Sequence, residues 1–133
     1  MRIIGHGIDL AEVDRIARMH ADHGAHFLDR CFTPAEQEYC LKHRYAMQHF
    51  AGRFAAKEAI VKVFGTGLRG AMAWTDMEIL NDPLGRPVLK LTGETARLAA
   101  EMGITQWHLS ITHTQSMAQA SAIGCADDPL RAP

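Results

Sequence analysis

The sequence reads as one domain of mixed helices and strands, compatible with an α+β fold, and three observations lead there. A helical apolar period runs over about residues 46 to 64. Two short apolar runs, Met77-Glu-Ile-Leu80 and Val88-Leu-Lys-Leu91, flank a loop of turn formers, and Trp107, Leu109 and Ile111 alternate with His108, Ser110 and Thr112. The first pattern repeats every 3.6 residues and the others suit strands, so both element types belong to one chain. With 133 residues, 47% of them hydrophobic and 22% charged, the chain has ordinary globular composition and enough length for a core without disulfides. No repeat, low-complexity tract or linker interrupts it. A single domain over residues 1–124 is expected, with 125–133 as a frayed tail.

Taken in order, Ile3, Ile4 and Ile8 mark an N-terminal strand, and period-two alternation puts Gly5, Gly7 and Asp9 on one face. Two glycines beside a carboxylate leave room for a close approach. Asp9-Leu-Ala-Glu12 has the form of a capping box and predicts a helix from there through Met19. Thr33-Pro34-Ala-Glu36 predicts a second helix start, with an N-cap threonine, proline at the first helical position and a glutamate two residues on. The long helix ends at Gly65-Thr66-Gly67, where glycine suits a left-handed cap. Phe50, Phe54, Ile60, Val61 and Phe64 make its apolar stripe; Ala51, Ala55, Glu58 and Lys62 share one flank, while Arg53 and Lys57 fall at or inside the other margin. Asp82-Pro-Leu-Gly-Arg-Pro87 joins the two short strands as a hairpin. Thr92 caps a helix running to Met102 and closed by Gly103, the alternating strand follows, and Met117 to Ile123 forms a last strand of small residues. Trp74 and Trp107 read as packing residues.

Net charge is −1, which argues against a nucleic-acid partner, since neutralising phosphates takes a basic surplus. The distribution is uneven: residues 42 to 69 hold six bases and one acid, whereas the segments on either side each hold four bases and seven acids. A local basic patch suits a small phosphorylated ligand, or is simply a solvated helix face. Cys31, Cys40 and Cys125 are odd in number and lack zinc-ligand spacing, which fits a reducing compartment. No apolar run reaches the ~20 residues of a membrane span and no signal-peptide pattern opens the chain, so a cytoplasmic protein without a membrane partner is expected.

Asp9 and Glu58 are the acids placed beside ligand-like features, one after two glycines and the other on the small-residue flank of the long helix. Brought together they would suit Mg²⁺, which takes one or two protein carboxylates and completes its shell with water and phosphate oxygens. Lys62, four residues after Glu58, would then meet a phosphate. The alternative is an N-cap at Asp9 and an ordinary i,i+4 surface pair between Glu58 and Lys62. Arg53 and Lys57 against a phenylalanine-rich face are costly to bury unless an anion meets them.

Gly7-Ile8-Asp9 with Arg15, then Arg53-Phe-Ala-Ala-Lys57-Glu58-Ala59 with Lys62, then Gly65-Thr66-Gly67, and finally His108-Leu-Ser110-Ile-Thr112-His113 resemble the holo-acyl-carrier-protein synthases, the small class of 4'-phosphopantetheinyl transferases. The similarity runs in order from about residue 3 to residue 123. It implies an α+β fold with a small, mainly antiparallel sheet packed against a long helix, assembled as a homotrimer with active sites between subunits. The implied reaction moves 4'-phosphopantetheine from coenzyme A to a serine of apo-acyl carrier protein, releasing adenosine 3',5'-bisphosphate, in support of fatty acid biosynthesis.

By matching motifs, Asp9 and Glu58 would hold Mg²⁺, Glu58 would accept the serine proton directly or through water, and Lys62 would steady the departing phosphate. Lys42, Arg44 and Arg53 would meet coenzyme A phosphates, with Gly65 and His108 lining the nucleotide pocket. Lys57 has two readings, a structural pair or a ligand contact, and His113 reads as a turn or packing residue. Arg15, Arg18 and Arg30 would dock the acidic carrier, although His20, Asp22, His23 and His26 stand where related proteins often carry further cations. The competing class is a catalytically inactive coenzyme A or nucleotide-binding module, which would not need Asp9, Glu58 and Lys62 together.

Overall fold

The structure, a computed structural model, describes residues 1–128. Strand β1 (Arg2–Glu12) leads into α1 (Val13–His23), α2 (Ala25–Cys31), α3 (Pro34–Leu41) and the long α4 (Ala46–Phe64). A 3₁₀ turn (Trp74–Asp76) precedes the hairpin β2 (Met77–Asn81) and β3 (Pro87–Leu91), followed by α5 (Gly93–Glu101), β4 (Gln106–His113) and β5 (Met117–Ala126). The larger sheet is antiparallel in the order β1-β5-β4, and β2-β3 forms a separate two-stranded sheet. The α+β expectation holds, with a small antiparallel sheet packed on a long helix.

One face of the larger sheet lies on α4, and the glycines of β1 make that contact possible. A β-carbon on Gly5 would sit 2.7 Å from the Val63 carbonyl oxygen, and one on Gly7 would overlap the Ala59 carbonyl. Strand and helix backbones therefore nearly touch, which fixes Asp9 beside the last two turns of α4. Small residues answer from both sides: Ala51, Ala55, Ala59, Ala118, Ala120 and Ala122 are all buried. The flank of α4 expected beside a single apolar stripe is thus largely interior, and only Glu58 and Lys62 escape full burial between Phe50 and Phe64. Gly65 ends the helix in the left-handed region at φ 76°.

Three sequence expectations need correction. Asp9 caps no helix: β1 runs on to Glu12, because its ladder with β5 continues through Asp9↔Ala120 to Glu12↔Met117, and α1 begins at Val13 without a side-chain cap. Long-range pairing outweighs the local capping signal here. Second, α1 runs beyond Met19 to His23, and Gly24 (φ 56°) turns the chain directly into α2, a helix the sequence reading lacked. Third, Cys125 and Ala126 are buried residues of β5, with Cys125 paired to Gln106, so the tail does not begin at residue 125. Of that expected tail, residues 129–133 lie outside the described residues.

The other elements follow their signals. Thr33 and Glu36 form the full capping box of α3. Thr92 occupies the N-cap of α5 without a side-chain bond; Asp76 satisfies that end instead, its carboxylate accepting from the Thr95 amide at 3.4 Å and from the Thr95 hydroxyl at 3.0 Å. Trp74 and Trp107 are half-buried and pack on Phe54 and Phe64.

Candidate active site

Side chains of β1 and α4 meet where the strand crosses the end of the helix. Lys62 Nζ donates to the Ile8 carbonyl at 2.7 Å and to Asp9 Oδ1 at 3.2 Å, so the helix lysine pairs with the strand rather than with Glu58 one turn earlier. Glu58 shares the site: partial burial, and next the negative charge of Asp9, hold its carboxyl above the usual carboxylate pKa, while Lys62 and Arg15 pull the other way. Two carboxylates, a lysine and an arginine from β1, α4 and α1 are therefore in electrostatic contact. A groove of about 280 Å³ opens beside Asp9 and Lys62, lined by those two with Ile8, Leu10 and Gln119. Among the described residues no group of three or more His, Cys, Asp or Glu side chains forms a closed metal cage. A site with only two carboxylates fits a hard cation that keeps water and phosphate oxygens as its other ligands, which is the donor set Mg²⁺ takes.

The two cations on the margin of the apolar stripe have separate fates. Lys57, 1% exposed, donates to the Cys31 carbonyl at 2.7 Å, Glu36 Oε1 at 2.6 Å and the Trp74 carbonyl at 3.2 Å. Glu36 is itself saturated by the Thr33 and Ile79 amides. Three donors on three acceptors leave nothing for a ligand, so Lys57 is a structural pair. Arg53, 4% exposed, donates through Nε to the Ile79 carbonyl at 2.9 Å and through Nη2 to Asn81 Oδ1 at 2.6 Å, and its guanidinium lies 4.3 Å from the Tyr39 ring centroid. Both hydrogen-bond partners are neutral, and the charge faces a pocket of about 190 Å³ shared with Tyr39, His49, Asn81 and His113.

The remaining expected residues are dispersed. Lys42 lies over Tyr39 at 5.2 Å, beside the Arg53 pocket, whereas Arg44 borders a different groove with Val13, Asp14 and Gln115. His108 is exposed and lines a shallow depression with Arg86, Pro87 and Gln106, and Gly65 is exposed at the C-terminus of α4. Neither joins the Arg53 pocket within one chain. Arg15 and Arg18 on α1 and Arg30 on α2 are exposed, with Arg30, His23 and His26 rimming an apolar groove of about 400 Å³ floored by Phe27, Phe54 and Trp74. Sequence reasoning missed Tyr39, His49 and Asn81. His49 had a usable signal, standing one helical turn before Arg53, but Tyr39 and Asn81 arrive from α3 and β2 by tertiary packing.

The chain has well-defined relatives. The 4'-phosphopantetheinyl transferase superfamily matches residues 5–119. A holo-[acyl-carrier-protein] synthase of Geotalea daltonii is 46% identical over 121 residues, covering 91% of this chain and 97% of the relative. The crystal structure of a holo-[acyl-carrier-protein] synthase from Neisseria meningitidis superposes with a TM-score of 0.85 at 32% identity, covering 92% of this chain and 98% of the other. The Bacillus anthracis holo-(acyl-carrier-protein) synthase, solved in complex with CoA (3',5'-ADP), gives a TM-score of 0.78 at 32% identity over 94% of this chain and 98% of that one.

Proposed function

This chain belongs to the 4'-phosphopantetheinyl transferase superfamily, and from that premise we propose that it is a holo-acyl-carrier-protein synthase, moving 4'-phosphopantetheine from coenzyme A to a serine of apo-acyl carrier protein and releasing adenosine 3',5'-bisphosphate. The observation that carries this reading is the convergence of Asp9 and Lys62, which pair directly, with Glu58, whose carboxyl feels both, where β1 crosses α4. Asp9 and Glu58 would hold Mg²⁺, whose contribution when bound is to neutralise pyrophosphate charge and polarise the phosphorus–oxygen bond under attack. Glu58, held above the ordinary carboxylate pKa, is the better proton acceptor of the two and takes the proton of the carrier serine directly or through water. Lys62, half exposed and hydrogen-bonded only through acceptors of β1, exchanges one of them for the phosphate oxygen on which charge builds.

The dispersed cations support a site shared between subunits. The outer face of the β1-β5-β4 sheet is not covered by any helix among the described residues; Ile8 is 48% exposed and Leu10 59%, and both flank Asp9 on β1. Apolar side chains left open on a sheet face that no helix covers, here set among His6, Ser110, Thr112, Gln119 and Ser121, are the kind of surface that oligomers bury. We assign it to a homotrimer with the active site at its edge, Arg53 and Lys42 serving one nucleotide pocket and Arg44, Gly65 and His108 presented to neighbouring copies. Leu10→Arg should convert the trimer to smaller species in sedimentation experiments; an unchanged trimer would remove the sheet face from the interface.

Arg15, Arg18 and Arg30 form the exposed basic surface suited to an acidic carrier protein, and fatty acid biosynthesis in the cytoplasm is the setting in which such a carrier is made active. The deciding experiment incubates the protein with apo-carrier protein, coenzyme A and Mg²⁺ and weighs the carrier by mass spectrometry. A mass gain of one phosphopantetheine is expected; coenzyme A binding without that gain would make the protein a binding module.

A further inference from the structure

The pocket of Arg53 contains a feature that phosphate binding alone does not explain. His43 and His49 stack with ring centroids 4.2 Å apart and planes 26° from parallel, and His113 from β4 meets the His49 ring edge-on at 5.9 Å. Tyr39 from α3 closes the cluster, 4.7 Å from His43 and 5.9 Å from His49. Three imidazoles thus lie in a row, His49 and His113 lining the pocket and His43 stacked behind them, and the cation of the pocket is Arg53. No carboxylate lines that pocket among the described residues, and His43 Nε2 is buried without a hydrogen-bond partner among them.

We propose that this pocket receives the phosphate monoester of coenzyme A and that its entry loads a proton from solvent onto the His43–His49–His113 row, making substrate binding proton-coupled. The inference rests on the coenzyme A reading above and adds to it a proton and residues of binding that reading does not use. Its physical basis is His49, an imidazole held neutral by its surroundings at the centre of the row. Burial comes first, followed by the neighbouring His43, Arg53 and His113, in lowering the His49 pKa to about 4. The groups facing it are Arg53 on its own helix, Lys42 and His43 from the segment after α3, Tyr39 from α3 and His113 from β4; none of them is a carboxylate. An anion reverses that balance. A phosphate monoester carries roughly −1.5 to −2 charges at neutral pH, more than either half of a pyrophosphate diester, and an opposite charge at contact distance raises a cationic acid's pKa by roughly 1–3 units. The proton shared along the stack then offsets the added negative charge.

The sign of the linkage separates this from titration of the ligand. Acidification protonates a free phosphate monoester and so weakens its binding to cations, whereas uptake by histidine tightens it. Coenzyme A binding to the wild-type protein is to be measured by titration calorimetry between pH 5.5 and 7.5, in buffers of different ionisation enthalpy. Tightening of roughly threefold to tenfold on acidification is expected, up to the tenfold per pH unit that one linked proton allows, with net proton uptake from the buffer. Dephospho-coenzyme A, which lacks the monoester, should show neither. His49→Gln and the double variant His43→Gln/His49→Gln, checked for fold by circular dichroism, should bind with a flat or reversed pH dependence. Zero uptake by the wild type, equal uptake with dephospho-coenzyme A, or an unchanged slope in the double variant overturns the proposal while leaving coenzyme A as substrate. No binding of coenzyme A at any pH overturns the functional reading and this proposal with it.

Discussion

Lys57 and Lys62 stand five residues apart on α4, and each meets a carboxylate brought by another element. The Lys57–Glu36 pair is 1% and 0% exposed at 2.6 Å, and every donor and acceptor around it is used. It ties the end of α2, the cap of α3 and the middle of β2 to the middle of the helix. The Lys62–Asp9 pair is 52% and 21% exposed at 3.2 Å, and its ammonium borders an open groove. Charge sign and partner type are the same in both; what differs is saturation. A saturated pair holds the fold together, and an unsaturated pair at solvent can change partners when a phosphate arrives.

The sharpest way to break this contrast is to truncate the buried member. Lys57→Met leaves Glu36 charged and buried without its cation, a loss of about 3–5 kcal/mol by analogy with other broken buried pairs. Urea denaturation of the variant measures it, and the double change Lys57→Met/Glu36→Gln should recover part of the loss because no charge is left stranded. A cost below about 1 kcal/mol for Lys57→Met would mean that the two pairs do not differ in kind.

Glu58→Gln tests the other side. It keeps the shape of the side chain but removes a metal ligand and the proton acceptor, so turnover should fall by about 10²–10⁴-fold, the usual span for a lost general base, with the fold intact by circular dichroism. Activity near wild type with Mg²⁺ present would sink the assignment of Glu58. Lys62→Ala should cost less, about tenfold to 10³-fold in kcat, with a smaller change in KM for coenzyme A, because a charge aimed at a leaving phosphate matters most as negative charge develops. Its stability should stay within about 1 kcal/mol of wild type, as for other exposed pairs. A pure rise in KM would make Lys62 a binding residue only.

The difference between the two pairs was only partly legible in the sequence. Helical spacing placed Glu58 and Lys62 on one face and Lys57 within the apolar stripe, and the glycines of β1 marked a close approach; these are local signals. That Lys57 would find Glu36, or Lys62 the Ile8 carbonyl and Asp9, depends on contacts 21 and 53–54 residues apart in sequence, which no local pattern encodes. The capping signal at Asp9 misled for the same reason, since the residue's partner is Ala120 across the sheet. The pocket of Arg53 was half visible: its guanidinium was singled out for a phosphate, but Tyr39, His49 and Asn81, which shape the pocket, are assembled from three elements.

The smallest effect expected is read at the open end of α4, again without any substrate. Glu58 has a folded-state pKa above its ordinary value, chiefly through burial and then through Asp9. Between the ordinary carboxylate value, about 4.3, and that raised value, the folded state binds more protons than the unfolded one, so the slope of stability against pH is negative. Glu58 therefore contributes its favourable, protonated form at low pH, and this contribution is lost as pH rises through the window; above it, an ionised Glu58 beside Asp9 is a fixed penalty. Glu58→Gln removes the penalty, so the variant should gain on the wild type in melting temperature as pH is raised from about 4 to 7, with a near-constant difference beyond. Adding Mg²⁺ should narrow the gap by stabilising the wild type alone, since a cation shared by Asp9 and Glu58 relieves the same repulsion. If the two melting curves run parallel over the whole range, with or without Mg²⁺, the two carboxylates do not feel each other, and the open end of α4 is no more poised for a cation than the saturated pair in its middle.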